Sequence, residues 1–135
     1  MAKTNVLIVE DDDSIRNLYA LKLGKSGFDV LQAENGGKGL EMAKKQLPDI
    51  ILLDVMMPVM NGFDVLKALR KNKDTTETPV IILSNYGEVD QMTNGFTAGA
   101  TDYLIKAEHT PQDVVEIVND TLRNKGNIAG IAFQE

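Results

Sequence analysis

The chain has 135 residues, 43% hydrophobic and 25% charged, which fits one globular domain with a core of its own. It has no cysteine, so disulfides, thiolate zinc sites and cysteine nucleophiles are excluded. A net charge of -6, from 20 acidic and 14 basic residues, argues against the basic surface of a nucleic-acid binder. No apolar stretch approaches the ~20 residues of a membrane helix, and the N-terminal residues lack a signal peptide's apolar core. The expectation is a cytoplasmic domain with no membrane partner and no direct nucleic-acid binding.

The first strand-like run, Val6-Leu7-Ile8-Val9, is continuously apolar and ends in four acids, Glu10 to Asp13. A helix is expected over 14–25, with Asp12 and Asp13 as caps or solvated residues, and Gly27 ends it. The second strand, Asp29 to Ala33, mixes polar with apolar residues. Gly36, Gly37 and Gly39 follow it, but they lack both the spacing and the position of a dinucleotide-binding loop. Leu40, Ala43 and Leu47 recur at helical spacing, and Pro48 precedes an apolar third strand, Ile50 to Leu53, that ends in Asp54. Residues 63–71 hold good helix formers. Pro79 opens the fourth strand, Val80 to Leu83, which is followed by Ser84. Val89, Met92 and Phe96 have helical spacing, Gly99 marks a turn, and the fifth strand, Asp102 to Ile105, delivers Lys106. His109 caps or faces solvent. Thr110-Pro111 reads as a cap and first helical residue, with Asp113 in the first turn, ahead of Val114, Val118 and Leu122. The domain is expected over 1–124, with 125–135 as a C-terminal tail that either docks or frays.

Five strands alternating with five helices imply a parallel sheet covered on both faces. The apolar first, third and fourth strands suit the interior, and the mixed second and fifth suit the edges. This gives the order 2-1-3-4-5, an α/β, flavodoxin-like, doubly wound sheet. In such sheets the ligand site lies at the carboxyl ends of the strands, where the order reverses. Glu10, Asp11, Asp54, Ser84 and Lys106 all fall there. Two like charges ~5 Å apart repel by roughly 3 kcal/mol at an effective dielectric near 20. One lysine cannot balance three carboxylates, so a divalent cation is implied, and hard oxygen ligands suit Mg2+. A cation and an ammonium beside an aspartate suit phosphoryl transfer onto that aspartate.

Val-Glu-Asp-Asp after the first strand, Leu-Leu-Asp-Val-Met-Met-Pro-Val-Met-Asn-Gly at 52–62, Leu-Ser-Asn at 83–85 and Asp-Tyr-Leu-Ile-Lys at 102–106 resemble the bacterial response-regulator receiver family, chemotaxis-regulator-like members included. The likeness covers about residues 4–124. It implies that Asp54 is the phosphoacceptor and that Glu10, Asp11, Asp54 and the backbone carbonyl of Met56 hold Mg2+. It also implies that Ser84 and Lys106 engage the phosphoryl oxygens and that Tyr103 reports the switch, although Tyr103 also reads as an edge-strand aromatic. A histidine kinase or phosphotransfer protein would be the donor. An unidentified downstream protein, or a second copy in a homodimer, would meet the surface of the fourth helix, fifth strand and fifth helix. No external substrate is expected to turn over.

Two departures stand out. Ala107 replaces the family's proline after Lys106, so this peptide is either trans or a strained cis bond. Met56 and Tyr86, at positions that influence water access, are poor water-orienting groups, and slow self-dephosphorylation is expected. Two other functions fit less well. One is a Mg2+-dependent aspartyl-phosphate hydrolase like the haloacid-dehalogenase phosphatases, whose nucleophile lies on the first strand. The other is a scaffold that binds partners without phosphorylation.

Overall fold

The computed structural model describes residues 3–55, 57, 60–85 and 89–125. Strand β1 (Asn5–Val9) leads into α1 (Asp13–Lys25), β2 (Asp29–Ala33), α2 (Gly36–Gln46) and β3 (Ile50–Asp54). Then come α3 (Gly62–Lys71), β4 (Val80–Ser84), α4 (Val89–Thr97), β5 (Asp102–Ile105), a 3-10 turn (Lys106–Glu108) and α5 (Pro111–Lys125). All strand pairs are parallel and the order is β2-β1-β3-β4-β5, as the alternation predicts.

Every residue of β3 and β4 is buried, whereas β2 keeps residues in solvent, so composition and sheet position agree. Side chains alternate between two cores. On one face Leu7, Val9, Ile51, Leu53 and Ile82 pack with Ala43, Val65, Leu66 and Leu69 from α2 and α3. On the other, Val6, Ile8, Leu52, Ile81 and Leu104 meet Tyr19 and Leu23 of α1 and Val114, Val115 and Val118 of α5. Burying one such aliphatic side chain contributes about 1.5–3 kcal/mol.

Local signals set the boundaries. Asp12 caps α1 through Ile15 N (3.0 Å), and Gly27, at φ 98°, takes a backbone conformation that disfavours side-chain-bearing residues. Thr110 and Asp113 cap each other reciprocally, Asp113 N to Thr110 Oγ1 at 3.1 Å and Thr110 N to Asp113 Oδ2 at 2.9 Å. Two residues depart from their expected burial. Leu47 is the left-handed cap of α2 (φ 48°) rather than its last buried residue, and it is exposed. Phe96, placed on a helical apolar stripe, is 48% exposed. The tail beyond Lys125, Tyr86 and Gly87 lie outside the described residues.

Candidate functional site

β1 and β3 end side by side, with Val9 opposite Leu53, so Glu10, Asp11 and Asp54 emerge together. Their carboxylate oxygens can lie within 4.8 Å of one another. Glu10 is only 3% exposed and Asp54 5%, while Asp11 faces solvent. The neighbouring strand adds Ser84, fully buried and one residue past Leu83, the partner of Asp54 across the ladder.

Lys106 closes the crevice. Its Nζ donates to Glu10 Oε1 at 2.6 Å and lies 3.5 Å from Asp54 Oδ1. Burial, the largest influence, disfavours the ammonium. The hydrogen bond to Glu10 and the charges of Asp54 and Glu10 outweigh it and hold Lys106 above its ordinary value. The Lys106–Ala107 peptide is trans, and the chain turns there into the 3-10 segment without moving Lys106 out of the crevice. Tyr19 of α1 lies close enough to feel both charges. Burial raises its phenol, the Lys106 charge opposes this, and the Glu10 charge adds to it.

The backbone that carries these groups is itself held. Glu10 N donates to Ala33 O (3.1 Å), and Asp12 N donates to Glu10 Oε2 (3.1 Å). Arg16 spans three segments, donating to Glu10 O (2.9 Å), Gln32 Oε1 (3.2 Å) and Asp13 Oδ1 (2.5 Å). On the β3 side Asn61 caps α3 through Asp64 N (3.0 Å), and Gly62 N donates to Val55 O (3.0 Å). A Cβ on Gly62 would lie 2.4 Å from Asp54 O, so only glycine lets α3 start against the aspartate's own backbone. Gly36 and Gly39 serve the same purpose for α2, which abuts the Met60 carbonyl and the Val9 side chain.

Glu10, Asp11, Asp54, Ser84 and Lys106 thus lie at the same ends of the adjoining strands. Tyr103 is 5% exposed and lies beneath α4, whose Gly95 would bring a Cβ within 3.0 Å of the ring. It is a core residue here, more deeply buried than an edge strand suggests. Met56 lies outside the described residues; Met57 is buried and Met60 packs against the core. His109 is partly exposed and its N–H closes the 3-10 turn onto Lys106 O (3.4 Å). Arg16, Tyr19 and Gln32 were not singled out from sequence. Arg16 and Tyr19 follow the acidic turn at helical spacing, but nothing local distinguishes them from surface residues.

A doubly wound sheet with a buried aspartate, two further acids and a lysine at its switch point defines a class of phosphorelay signalling domains. The chain belongs to the response regulator receiver domain family, whose model matches residues 6–119. It is 40% identical over 113 residues to the DNA-binding dual master transcriptional regulator RpaA of Synechocystis sp., covering 84% of this chain and 45% of that protein. It is 39% identical over 118 residues to the transcriptional regulatory protein SrrA of Staphylococcus aureus, covering 87% of this chain and 47% of that one. The chain therefore spans about half the length of these relatives, and the DNA binding named for RpaA is a property of that longer protein. Among solved structures, Vibrio cholerae chemotaxis protein CheY4 superposes with a TM-score of 0.83 at 33% identity, covering 88% of this chain and 98% of that one. The BeF3-activated receiver domain of Klebsiella pneumoniae RstA gives 0.81 at 28% identity, covering 89% and 99%. The chain is a receiver domain of two-component response regulators, a family of signalling modules. Among the described residues, no helix is long and apolar enough to cross a membrane.

Proposed function

We propose that Asp54 accepts a phosphoryl group from a histidine kinase or phosphotransfer protein, in a Mg2+-dependent step in the cytoplasm. The observation that carries this reading is the Lys106 ammonium set between Glu10 and Asp54, with a third carboxylate close by. The donor set fits Mg2+, because three clustered carboxylates face a single lysine and offer only hard oxygen ligands. Glu10, Asp11 and Asp54 would hold the ion, with the Met56 carbonyl, and it would neutralise charge on the transferring group.

An Asp54 carboxylate oxygen forms the bond to phosphorus as the phosphorus–nitrogen bond of the donor breaks, and the nitrogen keeps that electron pair. Lys106 shifts part of its attraction from Asp54 to the new phosphoryl oxygens. Ser84, buried at the end of β4, donates a hydrogen bond to the same group. Drawing Ser84 and Lys106 inward biases the packing of Tyr103 under α4. The surface of α4, β5 and α5 then presents a different face to a downstream protein or a second copy. Moving a two-state element from 1:99 to 99:1 takes about 5.5 kcal/mol of differential interaction, within reach of several charge-assisted hydrogen bonds acting together. The receiver runs to about residue 124, self-dephosphorylates slowly, contacts protein rather than nucleic acid and turns over no external substrate.

Intact mass after incubation with acetyl phosphate tests this reading. We expect an acid-labile gain of about 80 Da, one phosphoryl group, that requires Mg2+ and is absent in Asp54→Ala. A folded wild type that gains nothing would instead point to a phosphorylation-independent scaffold.

A further inference from the structure

Away from the crevice, an open groove of about 600 Å3 runs between α3 and the C-terminal turn of α4. Three cations of α3 line it, Lys67, Arg70 and Lys71, with Phe63, Asn94 and Thr97 among the other walls. Their spacing places them on one helical stripe. Some helical cations elsewhere pair with an acid three or four residues away, as in Lys45–Glu41 (3.0 Å), Arg123–Asp120 (3.1 Å), Arg16–Asp13 (2.5 Å) and Lys38–Glu34. The groove cations do not share that local pairing. Among the described residues, none of the three lies within 4.0 Å of a carboxylate oxygen, although Asp64, one turn before Lys67, also lines the groove.

Arg70 is the most constrained of the three. It donates from Nε to Gly99 O (2.9 Å) and from Nη1 to Thr78 O (2.7 Å) and Thr75 O (3.2 Å), which ties α3 to the turns before β4 and β5. Burial alone lowers its guanidinium below the ordinary value, with no anion to offset that cost. The α3 dipole favours Arg70 and Lys71 in the last turn, but it does not account for Lys67 or for the concavity.

We infer that this groove docks an acidic peptide segment of a partner protein. Lys67 and Lys71 stand about one helical turn apart, roughly 6 Å along the axis. Alternate residues of an extended peptide are separated by about 6.5 Å, so two carboxylates on one edge match both lysines. Asn94 and Thr97 offer hydrogen-bonding side chains to the peptide backbone, and Phe63 gives an apolar contact between the charges. A single compact anion would be served better by cations converging on a point than by a stripe. The chain's net charge of -6 opposes an acidic partner at long range, so binding has to rest on the local charge of this strip.

The test uses the full chain and a short fluorescein-labelled peptide of Glu and Phe, read by anisotropy and by amide chemical shifts. We expect shifts confined to residues 61–71 and 94–99. We expect at least about tenfold weaker binding for Lys67→Glu/Lys71→Glu, and a similar loss for a peptide with Gln in place of Glu. Both lysines are exposed, and Lys67→Gln/Lys71→Gln repeats the test with a milder change if the charge reversal disturbs the fold. Equal binding by the Gln peptide or by the folded variants would overturn the inference, as would shifts centred elsewhere. Inorganic phosphate giving the same shifts at the same concentration would assign the groove to a small anion and also overturn it.

Discussion

The two helices that leave the crevice, α1 after the acidic turn and α4 after Ser84, are built to different standards. α1 starts on the Asp12 cap, carries Asp13 in its first turn and Lys22 and Lys25 in its last, and buries Tyr19 and Leu23. Its Arg16 ties it to the ends of β1 and β2. α4 has nine residues, among them Thr93, Asn94, Gly95 and Thr97, and no basic residue in its last turn. Those four residues alone make it about 2–3 kcal/mol less favourable than alanine at the same positions. Gly95 is there for packing, since it lets α4 lie against Ile82 and Tyr103. The carboxylate half of the crevice is thus anchored through its backbone. α4 is the shorter helix and the weaker by composition, so a modest change in interaction can reposition it.

The anchoring of the first half meets its most severe test in Gly62→Val. The added Cβ would sit 2.4 Å from Asp54 O and 2.7 Å from Val55 Cα, both backbone atoms that cannot swing aside. We expect a loss of about 3 kcal/mol in urea unfolding, at the upper end of ordinary overpacking. An unchanged midpoint would mean that α3 slides away from the aspartate at little cost, and the contrast between the two halves would fail.

Asp54→Asn acts on the same half in the opposite direction. With Mg2+ absent, carboxylates within 4.8 Å of one another repel by roughly 3 kcal/mol per pair at an effective dielectric near 20, and Lys106 at 3.5 Å from Asp54 offsets part of that. Removing the Asp54 charge should therefore stabilise the metal-free protein by about 1–2 kcal/mol. Adding Mg2+ should raise the wild-type midpoint and narrow the gap to the variant. A destabilised Asn variant would show that Lys106 attraction outweighs carboxylate repulsion, contrary to this account.

These anchors also mark where the sequence stops being legible. The sheet order followed from which strands are apolar throughout, and the position of Glu10, Asp54, Ser84 and Lys106 followed from the strand ends, because both are local patterns repeated along the chain. The trans geometry after Lys106 is what Ala107 favours by about 3–4 kcal/mol, and only the likeness to a family with proline there left a cis bond open. Arg16 reaches Gln32, sixteen residues away, through a hydrogen bond that no periodicity encodes. From sequence, Gly36 and Gly39 compare only with a dinucleotide-binding loop and Gly62 is only part of a motif, but each is fixed by a neighbour's approach that depends on the finished packing. Leu47 broke its stripe because the α2 backbone turns left-handed there, at a residue whose type gives no warning. The basic groove escaped notice for a related reason, since one wall comes from α3 and the other from α4.

The smallest expected effect resolves the two helices most finely. Thr93→Ala in α4 and Asn17→Ala in α1 each replace an exposed residue of modest helix propensity, and each should add about 0.5 kcal/mol to global stability. Amide exchange separates what the global measurement cannot. If α4 opens while the rest stays folded, Thr93→Ala stabilises the native state against that opening, and α4 amides exchange about twofold more slowly. Asn17→Ala stabilises the native and the α4-open states equally, so it leaves α4 exchange unchanged while the unfolding midpoint rises. Should Asn17→Ala slow the α4 amides as much as it raises global stability, those amides exchange only through complete unfolding. The weakness of α4 would then be a matter of composition alone, fully compensated by Met92, Gly95 and the sheet beneath them.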